Sequence, residues 1–377
     1  VILLSLGDKM SKKFLATMFT LSGTIIGAGI LGLPYVFAKS GFLAGLFWII
    51  VLGAVMIFTN LALGEVTLRT RGIHQLAGYA EKYLGKWAKR VMFFAMLFGI
   101  YSALLAYLIG EGESLSRLLP GNINPLILGF AFWVVMTLLL HEGMKGLKKI
   151  ETYGVMAIIG IVVGIFFWFL PKISTPNLMT VDMMHFALPV GVVMFALLGF
   201  TSIPELRREI KGEEKKLKLA IILGTLIPII LYILFSAVFV GVLGKEVSEV
   251  ATLSFGPFVT ILGIFTMLTS YFVLAFSVKD LFKYDLKSSP MVNFVFSAIV
   301  PLLLYLFVSS FDMAGFAMIL GIGGVISGGI TGILIVLMNK ASKSSKKEPE
   351  FVVPMNWIIV TIITIIFITG IFVEFFA

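Results

Sequence analysis

Residues 23–34, Gly23-Thr-Ile-Ile-Gly-Ala-Gly-Ile-Leu-Gly-Leu-Pro34, lie inside an apolar run long enough to cross a bilayer, yet they make a poor helix. Each of Gly23, Gly27, Gly29 and Gly32 costs about 1 kcal/mol against alanine in a helix interior, and Pro34 removes a backbone donor as well. Non-helical backbone at membrane depth persists only where protein or a water-filled cavity covers it. A break here points to a site whose ligand meets the freed N–H and C=O groups. The competing explanation is a glycine face for close helix packing.

The rest of the chain narrows the class. Of its 377 residues 59% are hydrophobic and 13% charged, which excludes a soluble globular protein and predicts an all-α polytopic membrane protein. The net charge of +9 does not point to a nucleic-acid partner, because the basic residues form short clusters between apolar runs. With no cysteine there is no disulfide framework and no thiolate metal site. His74, His141 and His185 are dispersed at membrane ends without metal-ligand spacing, so no metal enzyme site is expected. Residues 1–11 read as a cytoplasmic N-terminal segment with no visible cleavable signal, and Met10 is the expected natural start.

Apolar runs of about 18 or more residues predict spans near 13–38, 42–68, 91–110, 123–141, 150–171, 185–209, 217–243, 255–282, 290–309, 313–338 and 355–376. With the N-terminus inside, all of the 29 Lys and Arg except Lys39, Arg117, Lys172 and Lys245 fall in inward segments. That bias predicts a cytoplasmic N-terminus and an extracellular C-terminus. Residues 72–90 read as a short amphipathic helix at the interface, and residues 340–350 as a mobile polar linker.

A second interrupted span contains Phe195-Ala-Leu-Leu-Gly-Phe-Thr-Ser-Ile-Pro-Glu205, where Gly199 and Pro204 break the apolar helix. The first span enters from inside and the sixth from outside. Two broken spans at corresponding places in halves of opposite orientation predict an inverted repeat, residues 12–171 against 183–338, with residues 355–376 as a helix outside it.

Gly23 to Tyr35, followed by Ser40-Gly-Phe and Leu63-Gly-Glu-Val66, resembles the opening signature of the amino acid/auxin permease family and its bacterial aromatic amino acid permease relatives. Phe195 to Glu205 is similar to the sixth helix of that family and of the wider amino acid-polyamine-organocation superfamily, and Thr269 to Leu281 to its eighth. The resemblance covers the whole chain and implies a LeuT-type fold: a 5+5 inverted repeat with discontinuous helices 1 and 6, plus an eleventh helix. It also implies amino acid transport.

By this resemblance the N–H groups of Ala28 and Gly29 would take a substrate carboxylate, and the carbonyls of Ile25, Phe195, Ala196 and Leu198 its ammonium. Phe195 or Phe200 would close over the ligand, or pack as an ordinary core ring. Tyr101 and Tyr107 are both candidates for a hydroxyl near the carboxylate. Six positions apart, they are about 240° apart on a helix, so only one faces the site.

Thr266, Thr269 and Ser270 share one helix face at i, i+3 and i+4. In LeuT-type carriers sodium sits between this point and carbonyls of helix one, here Gly23 and Ile26. The alternative is that the hydroxyls bond back to carbonyls four residues earlier. A second sodium site is not expected, since Ile30 stands where some relatives carry Asn. Glu65 and Glu205 are the acids expected to be buried, in coupling or gating roles. The resemblance has Glu65 brace the sixth helix; Glu205 alternatively pairs with Arg207 or Arg208.

These readings describe a secondary active importer of a neutral or aromatic amino acid in the cell membrane, by cation symport with sodium favoured over protons. A proton-coupled permease or exchanger is the alternative, and an amino acid-sensing receptor the alternative of another class. No cofactor is called for beyond a possible sodium ion, and no phosphate-binding loop suggests ATP-driven transport. An enzyme would show paired acids or a nucleophile and base in mid-span, and neither is visible.

Overall fold

The computed structural model describes residues 11–142, 147–285 and 288–376, and every regular element among them is helical. The expected N-terminal segment up to Met10 lies outside the described residues, as do the side chains of His141, Lys145, Lys148, Lys149 and Lys287.

The chain enters through α1 (Lys12–Ile25), whose first turn is capped by Ser11 Oγ accepting the Phe14 N–H at 3.1 Å. A 3-10 turn (Ala28–Leu31) and α2 (Leu33–Ser40) follow, bent 50° from α1. Next come α3 (Phe42–Arg69), α4 (Leu76–Leu84), α5 (Lys86–Leu118), α6 (Pro125–Glu142), α7 (Leu147–Phe169) and the short α8 (Thr175–Leu178). The sixth span repeats the pattern of the first: α9 (Pro189–Ala196), a 3-10 turn (Phe200–Ser202) and α10 (Ile203–Glu209). The remainder comprises α11 (Leu217–Leu243), α12 (Pro257–Asp280), α13 (Pro290–Phe294), α14 (Val300–Ser310), α15 (Phe316–Gly323), α16 (Gly329–Ser342) and α17 (Trp357–Phe376).

Among the described residues eight helices, plus the bent α1–α2 pair, are long and apolar enough to cross a membrane. Two shorter apolar helices, Pro125–Leu140 and Ile158–Lys172, lie where the fourth and fifth spans were expected. The chain is thus a polytopic membrane protein. On α17, Ile358, Ile362, Ile365 and Phe372 recur at helical spacing and are exposed, the stripe that a lipid-facing helix carries.

α1 packs on α11, α10 and α7, while the first 3-10 turn touches α9 and α12, so the break sits inside the bundle. A π turn at Gly324–Gly328 joins α15 to α16 and lies against α9. A Cβ on Gly324 would stand 2.2 Å from Gly191 O and 2.5 Å from Phe195 N, so only glycine admits that backbone contact. α17 is tied to the same place, its Glu374 carboxylate accepting the Gly191 N–H in the first turn of α9.

Two expectations need correction. Residues 340–350 are not a free linker: α16 runs to Ser342, Lys343 Nζ donates to Val353 O at 2.7 Å, and Ser345 Oγ donates to Arg69 O at 3.0 Å. Phe351 and Val353 just beyond are buried, which supplies the apolar anchor that the polar composition hid. The third span is also longer than 91–110, because α5 starts at Lys86 and carries Glu111 and Glu113 within one continuous 33-residue helix.

Candidate functional site

The two breaks share an order of elements, an α-helix, a 3-10 turn and a second helix with proline in its first turn, Pro34 in α2 and Pro204 in α10, but only the first is bent by more than 40°. Proline there gives up only a donor that the first turn leaves unused, so it starts the second half cleanly. At the first break the Ile26 N–H still reaches Ser22 O at 2.8 Å, but the Gly27 N–H turns back to Ile25 O at 2.8 Å. The Ala28 N–H goes to the hydroxyl of Tyr107. The carbonyls of Gly23 and Thr24 thereby lose the donors that an α-helix would give them. At the second break Ala196 ends α9, and Leu198 N–H turns to Phe195 O at 3.1 Å.

One side chain joins the two. Tyr232 of α11, completely buried, places its hydroxyl 2.6 Å from Ile25 O and 3.0 Å from Ala196 O, donating toward both. These are two of the carbonyls assigned to a substrate ammonium.

The glycines divide the space. A Cβ on Gly29 would stand 2.9 Å from the Cα of Ala196 and 3.3 Å from the Phe195 ring, so that side of the turn is filled by α9. A Cβ on Gly27 would meet nothing nearer than Tyr107 Oη at 3.8 Å and Ser270 Oγ at 3.9 Å. A side-chain atom at Gly27 would thus make only ordinary contacts, with the two hydroxyls, whereas at Gly29 it would collide with α9.

The remaining candidates disperse. Tyr107 stands at the break, whereas the Tyr101 hydroxyl donates to Phe296 O at 2.9 Å, away from it. Phe195 packs between Gly29 and Gly323, and Phe200 is a buried core ring. Leu198 lies at the turn itself with its side chain against Gly328. Thr266 Oγ1 donates to Leu262 O at 2.9 Å and Thr269 Oγ1 to Phe265 O at 3.0 Å, the back-bonded arrangement. Such a hydroxyl keeps its lone pairs, so these bonds leave it able to face a cation. Ser270 alone of the three borders the space at Gly27.

Glu65 does not reach the sixth helix. Its fully buried carboxylate accepts from Arg69 Nε at 2.7 Å, Lys343 Nζ at 2.6 and 2.7 Å, Asn339 Nδ2 at 3.1 Å and the Val353 N–H at 2.8 Å. It ties α3 to α16 and to the approach of α17. Glu205 sits half-buried in the first turn of α10, and Arg207 donates to Thr67 O and Gly72 O.

The sequence reading passed over Tyr232 and Glu111. Glu111 is completely buried on α5, one turn beyond Tyr107, and neither carboxyl oxygen has a hydrogen-bond partner among the described residues. The i, i+4 spacing of Tyr107 and Glu111 was a signal available in the sequence; ending the third span at residue 110 concealed it. No cluster of three metal-ligating side chains occurs among the described residues.

The pattern of the tryptophan/tyrosine permease family matches residues 10–375. The chain belongs to this family. Among curated relatives it is 27% identical over 225 residues to "Tyrosine-specific transport system 1" of Haemophilus influenzae, covering 59% of this chain and 56% of that protein. It is 27% identical over 248 residues to "Tyrosine-specific transport system 2" of the same organism, covering 63% and 60%. To "Glutamine transporter 2" of Aliivibrio fischeri it is 24% identical over 317 residues, covering 78% and 81%. The matches to the two tyrosine systems span less than two thirds of those proteins' length. The family is one of permeases, and these relatives carry names of amino acid transport.

Proposed function

We propose that this permease is a secondary active carrier that imports a neutral or aromatic amino acid across the cell membrane by cation symport, through alternating access. The observation that carries the reading is the meeting of two broken helices at one buried tyrosine hydroxyl, with the Tyr107 and Ser270 hydroxyls beside Gly27 at the first of them. Broken helices offer carbonyls to an ammonium and N–H groups to a carboxylate, the two charges every free amino acid brings. Tyrosine and glutamine, named for the relatives, both have uncharged side chains, which supports a neutral substrate.

In this reading the substrate carboxylate lies beside Gly27, near Tyr107 and the turn from Ala28 to Gly29, and its ammonium toward Ala196, Ile25, Phe195 and Leu198. Residues 12–171 and 183–338 form the inverted repeat of a LeuT-type carrier, the N-terminus is cytoplasmic and the C-terminus extracellular. A sodium ion would lie among the carbonyls of Gly23 and Ile26 and the hydroxyls of Thr266, Thr269 and Ser270. The diverted donors at the first break support the Gly23 carbonyl as a free ligand. A proton is the second reading, favoured by the partnerless carboxyl of Glu111.

Uptake into proteoliposomes from a mixture of amino acids, with sodium or proton gradients imposed separately, tests the function. Accumulation of a neutral amino acid above equilibrium under either gradient is expected. If sodium drives it, Thr269→Ala with Ser270→Ala abolishes the sodium dependence. The absence of both uptake and exchange for every amino acid would overturn the proposal.

A further inference from the structure

Tyr107, Glu111 and Ser114 fall at i, i+4 and i+7 on α5, and so along one face of the helix. All three are buried, and the Glu111 carboxyl oxygens and Ser114 Oγ have no hydrogen-bond partner among the described residues. The row begins at the first break, where Tyr107 holds the Ala28 N–H, and runs toward the end of α5 at Leu118. Buried polar groups normally find partners, so an unpartnered row leading out of a binding site asks what completes it.

Several charged and titratable groups on the elements packed against α5 have partners of their own. On α12 the Tyr271 ring packs edge-on to Phe132 at 5.4 Å, and Lys279 Nζ donates to Leu140 O at 3.0 Å. On α14 the Tyr305 hydroxyl reaches Pro125 O and Leu126 O, both at 3.2 Å. Lys89 and Glu81 pair at 2.6 Å at the opposite end of the helix, and Lys343 of the α16 end is held by Glu65. Glu249 accepts the Ala317 N–H at 3.2 Å and lies within electrostatic reach of Glu113 and Tyr35. No cation among the described residues balances a charge on Glu111. An ionised carboxylate in that apolar, donor-free place is strongly disfavoured, so the packing seen here suits the neutral acid.

We propose that Glu111 is the proton-binding site of the transport cycle, and that the Tyr107–Glu111–Ser114 face of α5 joins it to water at the Leu118 end. The inference rests on the carrier reading and names its driving ion. When the Leu118 end is open, hydronium gives its proton to the Glu111 carboxylate, leaving water and a neutral carboxylic acid. The neutral acid packs as seen here, closing the face. When the opposite side opens, water takes the proton back and the carboxylate becomes hydrated. The neutral form favours the closed packing and the charged form opposes it, so protonation biases the same equilibrium that the substrate biases, and each strengthens the binding of the other.

The experiment uses the full chain in sodium-free proteoliposomes, with labelled tyrosine and glutamine as probes. It measures accumulation driven by an imposed pH gradient, and exchange at equal pH. One proton per substrate supports about tenfold accumulation per pH unit. Glu111→Gln keeps the shape of the side chain and cannot ionise, so exchange persists, accumulation falls to the equilibrium level, and the pH profile of exchange flattens. Glu111→Asp restores accumulation with a displaced pH profile, a rescue that a purely structural role does not give. If Glu111→Gln accumulates substrate as the unaltered chain does, or if the unaltered chain exchanges substrate but ignores the pH gradient, the proposal is wrong while the carrier reading stands. If the unaltered chain shows neither exchange nor uptake until sodium is added, the proposal is wrong while the carrier reading stands; if neither appears with sodium present, the carrier reading fails and this inference with it. Should Glu111→Gln not fold, Glu111→Asp decides: an unshifted profile overturns the proposal.

Discussion

Glu65 and Glu111 are equally buried, and they are opposites in company. Glu65 has donors from Arg69 one turn along its own helix and from Asn339, Lys343 and Val353, and these last three tie α3 to distant segments. Glu111 has none among the described residues. Burial alone does not tell a structural carboxylate from a working one. What separates them is whether the fold supplies the counter-charge, or leaves it to arrive from solvent.

The contrast can be broken most forcefully at its saturated end. Glu65→Ala leaves Arg69, Lys343 and the Val353 N–H without their acceptor, and removing one member of such a buried cluster costs about 3–5 kcal/mol. Thermal unfolding of the purified protein should show a large drop. An unchanged midpoint would mean that Glu65 is not the fastener described.

A closed position and one that tolerates a methyl group also adjoin at the first break, and the next largest effect lies there. Gly29→Val drives a branched side chain into Ala196 and should destabilise by about 1–3 kcal/mol, the usual cost of overpacking. Gly27→Ala meets nothing closer than 3.8 Å, so its midpoint should stay near the parent value while apparent substrate affinity falls. If instead Gly27→Ala unfolds the protein and leaves affinity intact, the substrate lies elsewhere.

Glu111→Leu sharpens the comparison from the empty side. It removes a buried polar group that has no partner, so stability should change by less than about 1 kcal/mol, or rise. A loss as large as that of Glu65→Ala would reveal a partner for Glu111.

Asp182 supplies the exposed reference. A hydrogen bond from His185 is the main influence holding its carboxyl below the ordinary 3.8, so the pair stabilises above that value and is lost as pH falls through the lower folded one. Lys245 stands 3.6 Å away, and both partners are open to solvent. Asp182→Asn should therefore leave the midpoint at pH 7 nearly unchanged.

Most span positions and the interruptions near Ala28 and Gly199 were legible because they depend on local chemistry: run length, glycine and proline. Broken backbone near Ala28 and Gly199 needed no tertiary information. Partners were not legible. Nothing near Tyr232 in sequence marks it out, since its role arises only when α11 brings it between two breaks more than a hundred residues apart. Glu65 read as a brace for the sixth helix, but Asn339 and Lys343 lie far along the chain, and the Val353 N–H offers no sequence signal at all. Tyr107 was separable from Tyr101 only once the rotation of α5 was known.

The Tyr232 hydroxyl bears on the heat of binding. A carbonyl oxygen has two lone pairs, and Ile25 O already accepts the Gly27 N–H at 2.8 Å and Tyr232 at 2.6 Å. An ammonium arriving there displaces a bond and does not add one. Substrate capture at that carbonyl thus trades a neutral hydrogen bond for a charge-assisted one, and the heat released is reduced by the bond given up. Removing the hydroxyl, as in Tyr232→Phe, would vacate a lone pair in advance and make the same step more exothermic, a difference that titration calorimetry reads directly.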